Sequence, residues 1–147
     1  MDATKRDAVN MRIRRMAHSD IDAVLALAQS GITYRDLAAS DLGGPLDMSF
    51  VAEADDRVIG FILARVQYIM IPFTEVCLVH SIAVADEYRM KGIGARLVSE
   101  LQSHCIAEGI HTMRALVEQR DTGTRLFVEY LGFHRSNVIN YDKTVET

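Results

Sequence analysis

The residues best suited to chemistry lie where a predicted strand meets a predicted helix, within residues 79–95. The strand segment 81–84 runs into a turn that contains Gly92 and Gly94, and the helix begins there. A helix N-terminus has backbone N–H groups without intrahelical partners, and its dipole favours an anion. Glycines let the backbone approach that anion closely. The pattern favours a phosphate site, although a tight strand-to-helix connection with solvated basic residues would have the same spacing.

Two common nucleotide motifs are excluded at this turn. The chain has no GxxxxGK[ST] sequence, and a GxGxxG fingerprint would need glycine at position 97, which is Leu97. Arg89 and Lys91 instead place positive charge beside the glycines. The turn is therefore suited to a phosphate group that is held in another way.

Residues 89–94 read RMKGIG, which is similar to the R/Q-x-x-G-x-G/A motif of the GNAT superfamily of acyl-CoA-dependent N-acetyltransferases. Residues 81–84, with Glu87, Tyr88 and Arg89, resemble the fourth strand and turn of that family. Residues 126–133, which end in Leu131-Gly132-Phe133, resemble its C-terminal YEKLGF segment. The resemblance covers nearly the whole chain, from about residue 11 to residue 143.

The resemblance implies a mixed, largely antiparallel α/β sheet flanked by helices, with splayed fourth and fifth strands that hold acetyl-CoA. No metal is implied. The main chain of the fourth strand would pair with the pantetheine amides, and the turn would hold the diphosphate. The residues implied to bind the cosubstrate are Ile82, Ala83, Val84, Arg89, Met90, Lys91, Gly92, Ile93, Gly94 and Ala95.

A general base is needed because an alkyl ammonium must lose a proton before it can attack a thioester. His80 is the first candidate, since its ordinary pKa of about 6.5 suits neutral pH and it directly precedes the strand segment 81–84. A histidine that is only hydrogen-bonded in the core is the alternative. Glu75 and Glu118 could act through a water, and Glu53 is a weaker candidate. The other histidines, at positions 18, 104, 111 and 134, are predicted to lie on the surface.

Two positions depart from the family pattern. Members often carry a tyrosine that protonates the leaving thiolate, and here that position is Val128. Tyr130 would lie about 200° further around a helix and face elsewhere, so the role is not transferred to it. The asparagine often found near pantetheine aligns with Asp121, which accepts but does not donate hydrogen bonds when ionised.

The elements that must position these residues follow from hydrophobic periodicity. A helix with Ser19 as N-cap should extend to about Gly31, and a possible second helix covers residues 34–39. Longer helices are predicted from Gly92 to Gly109 and over residues 122–131. Strands are predicted over residues 11–16, 49–54, 58–71, 75–85 and 113–117, with the last strand material in 133–145.

Composition is that of an ordinary folded protein, with 49% hydrophobic and 24% charged residues among 147. We expect a flexible tail over residues 1–10 and a single domain over residues 11–147. A net charge of −4 argues against general nucleic-acid binding. The most apolar run, residues 58–73, contains Arg65 and Gln67 and is too short for a membrane helix. Cys77 and Cys105 are far apart in the sequence, which fits a reducing cytoplasm.

The sequence therefore predicts an acetyl-CoA-dependent N-acetyltransferase that acts on a primary amine. Small-molecule amines and protein N-termini remain open as acceptors, and residues 32–48 would help to decide between them. A non-catalytic acyl-CoA sensor and an interaction scaffold are the rivals from other classes. A homodimer is expected by analogy with the family alone.

Overall fold

The computed structural model describes residues 10–28, 32–70 and 73–146. The predicted flexible tail therefore falls almost entirely outside the described residues, as does the predicted helix stop at Gly31. Two compact units are present, Met1–Leu116 and Val117–Thr147. The prediction of a single domain stays a prediction.

The elements agree with the predicted order up to the last helix. The strands are β1 (Met11–Arg15), β2 (Phe50–Ala54), β3 (Arg57–Met70), β4 (Phe73–Val84) and β5 (Met113–Ala115). The α-helices are α1 (Ile21–Leu27), α2 (Tyr34–Ala39), α3 (Ile93–Ala107) and α4 (Thr122–Tyr130). Short 3-10 helices cover His18–Asp20 and Asp86–Tyr88.

The five strands form one sheet in the order β1-β2-β3-β4-β5. The first four pair antiparallel with their neighbours, and β5 pairs parallel to β4. The turn at Asp55 and Asp56 closes the β2–β3 hairpin with positive φ angles of 52° and 58°, which aspartate tolerates better than most residues. The predicted mixed, largely antiparallel sheet is confirmed.

The two faces of the sheet are covered by different helices. On one face, Ile21 and Val24 of α1 and Leu37 of α2 form a buried cluster with Val51 and Phe61 of the sheet. On the other face, α3 lies so close that a Cβ on Gly60 would come within 3.5 Å of Ile93 and Leu97. Alternate residues of β3 therefore face α1 and α2, or α3.

The start of α1 differs from the prediction. Ser19 is not its N-cap: the 3-10 helix His18–Asp20 precedes α1, and the Asp20 carboxylate accepts a hydrogen bond from the Ala17 N–H at 2.8 Å. The reason is that Asp20 also binds Arg14 of β1, and this ion pair holds the chain where it leads into α1. At α2, Thr33 and Asp36 form a capping box.

The prediction of strand material in residues 133–145 is wrong for this structure, because residues 133–146 contain no strand. Their backbone bonds are local: the Phe133 N–H donates to the Val128 carbonyl at 3.0 Å, and the Val138 N–H donates to Ser136 Oγ at 3.2 Å. Alternating apolar residues form a strand only when a neighbouring strand pairs with them.

His104 is also not the surface residue that was predicted. Its ring is half-buried and meets the Phe50 ring edge-on, with 5.7 Å between the centroids. Arg15 Nη1 lies 3.2 Å from His104 Nε2. The last turn of α3 therefore packs its histidine onto β2, whereas His18, His111 and His134 are exposed as predicted.

A partly buried ion pair joins β1 to the chain that leads into α1. Both nitrogens Nη1 and Nη2 of Arg14 donate to the Asp20 carboxylate at 2.9 Å, and Arg14 also binds Glu53 of β2 at 2.9 Å. The Asp20 side chain is only 6% exposed. Its hydrogen bonds with the Arg14 guanidinium hold the pKa of Asp20 below its ordinary value.

We expect Asp20→Asn to lower the free energy of unfolding by about 2–4 kcal/mol, because it leaves Arg14 without its buried anion. Arg12→Gln is the matched control, since Arg12 is 70% exposed and 3.4 Å from Glu53, and it should cost less than about 1 kcal/mol. Urea unfolding at pH 7 measures both. Because the pKa of Asp20 is lowered, the penalty should be present above about pH 4 and shrink as Asp20 is protonated at lower pH. Equal losses for the two variants would contradict this assignment.

Candidate active site

The fourth and fifth strands separate at one point of the sheet. The parallel pairing of β4 with β5 ends at Val79 and Ala115, whereas β4 continues to Val84. From Val84 back to Ser81, β4 remains paired with β3 on its other edge. Residues 80–84 therefore have one edge of the strand without a β5 partner in the described part of the chain.

The turn that follows has the geometry of an anion site. After the 3-10 helix Asp86–Tyr88, Met90 and Gly92 both adopt left-handed backbone conformations, with φ of 63° and 78°. Gly92 is the N-cap of the 15-residue helix α3, and the first bond of that helix runs from the Arg96 N–H to the Gly92 carbonyl at 3.0 Å. The N–H groups of Ile93, Gly94 and Ala95, which precede Arg96, have no helix carbonyl to bond.

Open space lies in front of this helix terminus. A Cβ built on Gly92 would have no heavy atom of the described chain within 4 Å, its sequence neighbours aside. Arg89 is exposed, pairs with Asp86 at 3.0 Å and reaches the Val84 carbonyl at 3.5 Å. Lys91 is exposed as well. Phosphate oxygens could approach the backbone here, with two cationic side chains beside them.

Side chains of the β2–β3 hairpin contact the 3-10 helix Asp86–Tyr88, just before the turn. Arg57 pairs with Glu87 at 2.6 Å and lies over the Tyr88 ring, 5.5 Å from its centroid. The Tyr88 hydroxyl donates to Asp55 at 3.2 Å. The pKa of Glu87 is lowered by its backbone hydrogen bond and by Arg57. These contacts join the 3-10 helix Asp86–Tyr88, which precedes the turn, to the β2–β3 hairpin.

A β-bulge lies at His80. Leu63 is opposite Ser81 and Ala64 is opposite Val79, so His80 is an extra residue without a partner on β3. Leu78 is opposite Arg65, and alternation from Leu78 places His80 on the same side of the sheet, where both Arg65 and His80 line a cavity. The bulge shifts the alternation after His80, so that Ser81 pairs with Leu63, another residue of the cavity lining.

The cavity has a volume of about 630 Å³ and lies between α2, the middle of β3 and residue His80 of β4. It is lined by one face of β3, by α2 with the residues that flank it, and by His80. The lining residues are Ile32, Arg35, Asp36, Leu37, Ala39, Ser40, Asp47, Leu63, Ala64, Arg65, Gln67 and His80.

The environment of His80 favours its neutral form. His80 is exposed, but partial desolvation by the surrounding residues lowers its pKa below the ordinary value of 6.5. The positive charge of Arg65 lowers the pKa of His80 further. A neutral imidazole at pH 7 is able to accept a proton from an amine.

Of the other predicted site carboxylates, Glu75 belongs to the first unit, and Glu118 and Asp121 belong to the second. Glu75 is five residues before His80 on β4, which corresponds to about 17 Å along an extended strand. Glu118 and Asp121 belong to the second unit, Val117–Thr147. There Asp121 caps α4 by accepting bonds from the Thr124 N–H at 3.0 Å and hydroxyl at 2.6 Å, which lower its pKa.

Sequence reasoning missed Arg65 as a functional candidate. The signal was present, because Arg65 is an arginine inside the most apolar run of the chain, residues 58–73. Only the structure shows that β3 directs it into the same cavity as His80. Among the described residues no group of three or more metal-ligating side chains is assembled, and no helix is long and apolar enough to cross a membrane.

Comparison with known proteins identifies the family. Residues 15–133 match the model of the Acetyltransferase (GNAT) family. Because the match covers most of the chain, this protein belongs to that family. No curated protein matches the chain.

Solved structures agree with this assignment at the level of the fold. The aminoglycoside N-acetyltransferase AAC(6')-Iy in complex with CoA is 23% identical, with a TM-score of 0.77 over 94% of this chain and 97% of that one. AAC(6')-Ih from Acinetobacter baumannii is 18% identical, with a TM-score of 0.76 over 93% and 100%. A possible acetyltransferase from Clostridium difficile 630 is 19% identical, with a TM-score of 0.76 over 93% and 99%.

We expect the pKa of His80, followed by imidazole NMR, to lie below 6.5 in the wild type. Arg65→Gln should raise it, because the variant removes a positive charge that disfavours the imidazolium. Arg35→Gln is the control within the same cavity and should leave the pKa unchanged. A pKa of His80 that does not respond to Arg65→Gln would contradict the electrostatic coupling.

Proposed function

We propose that this protein is an acetyl-CoA-dependent N-acetyltransferase that acetylates a primary amine by direct attack in a ternary complex. The observation that supports it is the order of the elements: the open edge of β4 is followed by the 3-10 helix Asp86–Tyr88 and then by the turn at Gly92. His80 stands at the start of that edge and faces a cavity. Cosubstrate groove, catalytic group and acceptor space therefore adjoin one another.

Acetyl-CoA would bind along this edge. The backbone of Ile82, Ala83 and Val84 would pair with the pantetheine amides as an added strand would. The diphosphate would accept hydrogen bonds from the backbone at the start of α3, which is also the positive end of the helix dipole. The residues proposed for that contact are Met90, Lys91, Gly92, Ile93, Gly94 and Ala95, with Arg89 adding charge. We propose Asp121 as a further cosubstrate contact.

The chemistry begins with deprotonation of the acceptor. At neutral pH this costs an alkyl ammonium about 4 kcal/mol, and His80 takes the proton on an imidazole nitrogen. The amine nitrogen attacks the thioester carbonyl carbon, a C–N bond forms, and the C–S bond breaks. A backbone N–H near the bulge stabilises the oxyanion. The CoA thiolate leaves and takes up a proton, which water can supply to a thiol of pKa about 8.5.

The cavity favours a small acceptor. Its volume of about 630 Å³ lies within the range of about 300–1,000 Å³ that is usual for small-ligand sites. An extended peptide would need a groove. Glu75 and Glu118 remain alternative bases that act through a water.

A substitution at Gly92 tests the proposed phosphate site. Gly92→Asp places a negative charge in front of α3, and it should weaken acetyl-CoA binding at least about tenfold by calorimetry. Gly109→Asp is the matched control: Gly109 follows the same helix, has a φ of 75° against 78° for Gly92, and also has no heavy atom near its Cβ. It carries the same backbone strain and should change the Kd less than about twofold. Equal losses of affinity would refute the assignment of the turn.

A substitution at His80 tests its proposed role as the general base. His80→Gln should lower kcat by about 100-fold or more in a thiol-release assay, because a positioned general base contributes that much. The Kd of acetyl-CoA should stay within about twofold of wild type, and His111→Gln, at an exposed site, should have full activity. In the wild type, kcat/KM should fall only as the pH drops below 6.5, since the pKa of His80 is lowered.

Two results would count against this mechanism. An unchanged acid limb in His80→Gln would transfer the role of base to Glu75 or Glu118. Tight binding of acetyl-CoA without thiol release for any amine would favour a sensor over an enzyme.

A further inference from the structure

We propose that the acceptor carries an anionic group, a carboxylate or a phosphate, beside its amine, and that Arg65 binds that group. The proposal rests on the proposed function, since it concerns the acceptor end of the same site. It would set the substrate class apart from polycationic amines such as the aminoglycosides that are named for the solved neighbours.

The buried carboxylate of the cavity is already bound by the protein itself. Asp47 is only 3% exposed. Its Oδ2 accepts from the Gly43 N–H at 2.8 Å and lies 3.5 Å from Arg15 Nη2, and its Oδ1 accepts from the Ser49 N–H at 3.2 Å. This carboxylate has a cation and two donors of its own, so it is not available to a cationic ligand.

The second aspartate of the cavity is held by the start of α2. Asp36 Oδ2 accepts from the Thr33 N–H at 3.0 Å in the capping box. These hydrogen bonds with Thr33 keep the pKa of Asp36 below its ordinary value. Asp36 is exposed, so solvent screens its charge.

Arg65, by contrast, has binding capacity left. Its side chain is half-buried on the cavity side of β3, and Nη1 makes one long contact, 3.4 Å, with the Ser40 carbonyl. No carboxylate among the described residues forms an ion pair with it. A guanidinium has five N–H donors in a planar fork that matches a carboxylate or phosphate. A half-buried cation without an anion is most stable when a ligand supplies one.

The position of Arg65 relative to His80 sets the shape of the acceptor. Arg65 is opposite Leu78 on β4, two residues before His80, and both side chains line the cavity. After desolvation, the charge of Arg65 is the second cause that lowers the pKa of the His80 ring. A ligand whose anion binds Arg65 would therefore present an amine a few bonds away to His80. Amino acids and amino phosphates have that arrangement, whereas a polycation would meet the charge of Arg65 instead.

The test measures kcat/KM by thiol release for matched acceptors. Each amino acid is paired with its amide, which has the same shape without the negative charge, and phosphoethanolamine is paired with ethanolamine. An aminoglycoside completes the panel. We expect at least a tenfold preference for the anionic member of a pair, and the two kinds of pair distinguish carboxylate from phosphate.

Arg65→Gln should abolish that preference, mainly through KM, and Arg65→Lys should restore part of it. Because both members of a pair use the same base, their ratio is insensitive to the change that Arg65→Gln causes in the pKa of His80. Arg35→Gln, at the exposed arginine of the cavity, should keep most of the preference. A thermal melt confirms that each variant is folded.

The outcomes separate the two proposals. Thiol release with equal or better rates for amides, simple amines or the aminoglycoside would overturn the anionic acceptor and leave the acetyltransferase standing. A preference that survives in Arg65→Gln would overturn the role of Arg65. No release with any member of the panel would overturn the proposed function and this inference with it.

Discussion

The site depends on the pairing of one strand. On one edge β4 is held by β3 from Phe73 to Val84, and on the other it loses β5 after Val79. The first edge pairs residues 81–84 with β3, and the second leaves the backbone of residues 80–84 without a β5 partner among the described residues. After Val84 the 3-10 helix Asp86–Tyr88 connects β4 to the turn at Gly92, and we propose that a ligand paired with β4 extends from there to the N-terminus of α3.

Helices on both faces of the sheet and side chains of the β2–β3 hairpin surround this strand and the turn. On one face α3 packs against β3, which fixes its N-terminus, and the contacts of Arg57 with Glu87 and Tyr88 hold the turn from the side. On the other face α2 closes a cavity over His80 and Arg65. His80, which lies at the bulge, connects the two proposed functions, because it belongs to the strand proposed for the cosubstrate and lines the cavity proposed for the acceptor. Desolvation and the charge of Arg65 then keep that imidazole neutral.

Much of this could be predicted from local pattern. Strand alternation and helical periodicity located the elements up to α4 within a few residues, and glycine spacing located the turn. The bulge could not be predicted, since it exists only in the pairing of Leu63 and Ala64 with β4. The prediction of Ser19 as N-cap was wrong because it depended on local sequence alone. Asp20, the next residue, binds Arg14 of β1 and is itself the N-cap of α1. The predicted last strand, in residues 133–145, was wrong because an alternating pattern does not show whether a neighbouring strand is present to pair with it. Arg65 was noticed in the sequence only as a charged residue inside an apolar run.

The most direct test of the account is an acetyl-CoA titration followed by backbone amide NMR. The account predicts saturable shifts along two connected stretches, residues 80–84 of β4 and residues 90–95 around the start of α3, with one common Kd. Amides of β1 and of the α3 C-terminus near Gly109 should shift little. Saturable shifts that leave both stretches unchanged, or no shifts at millimolar acetyl-CoA, would contradict the claim that the open edge of β4 and the Gly92 turn form the cosubstrate site.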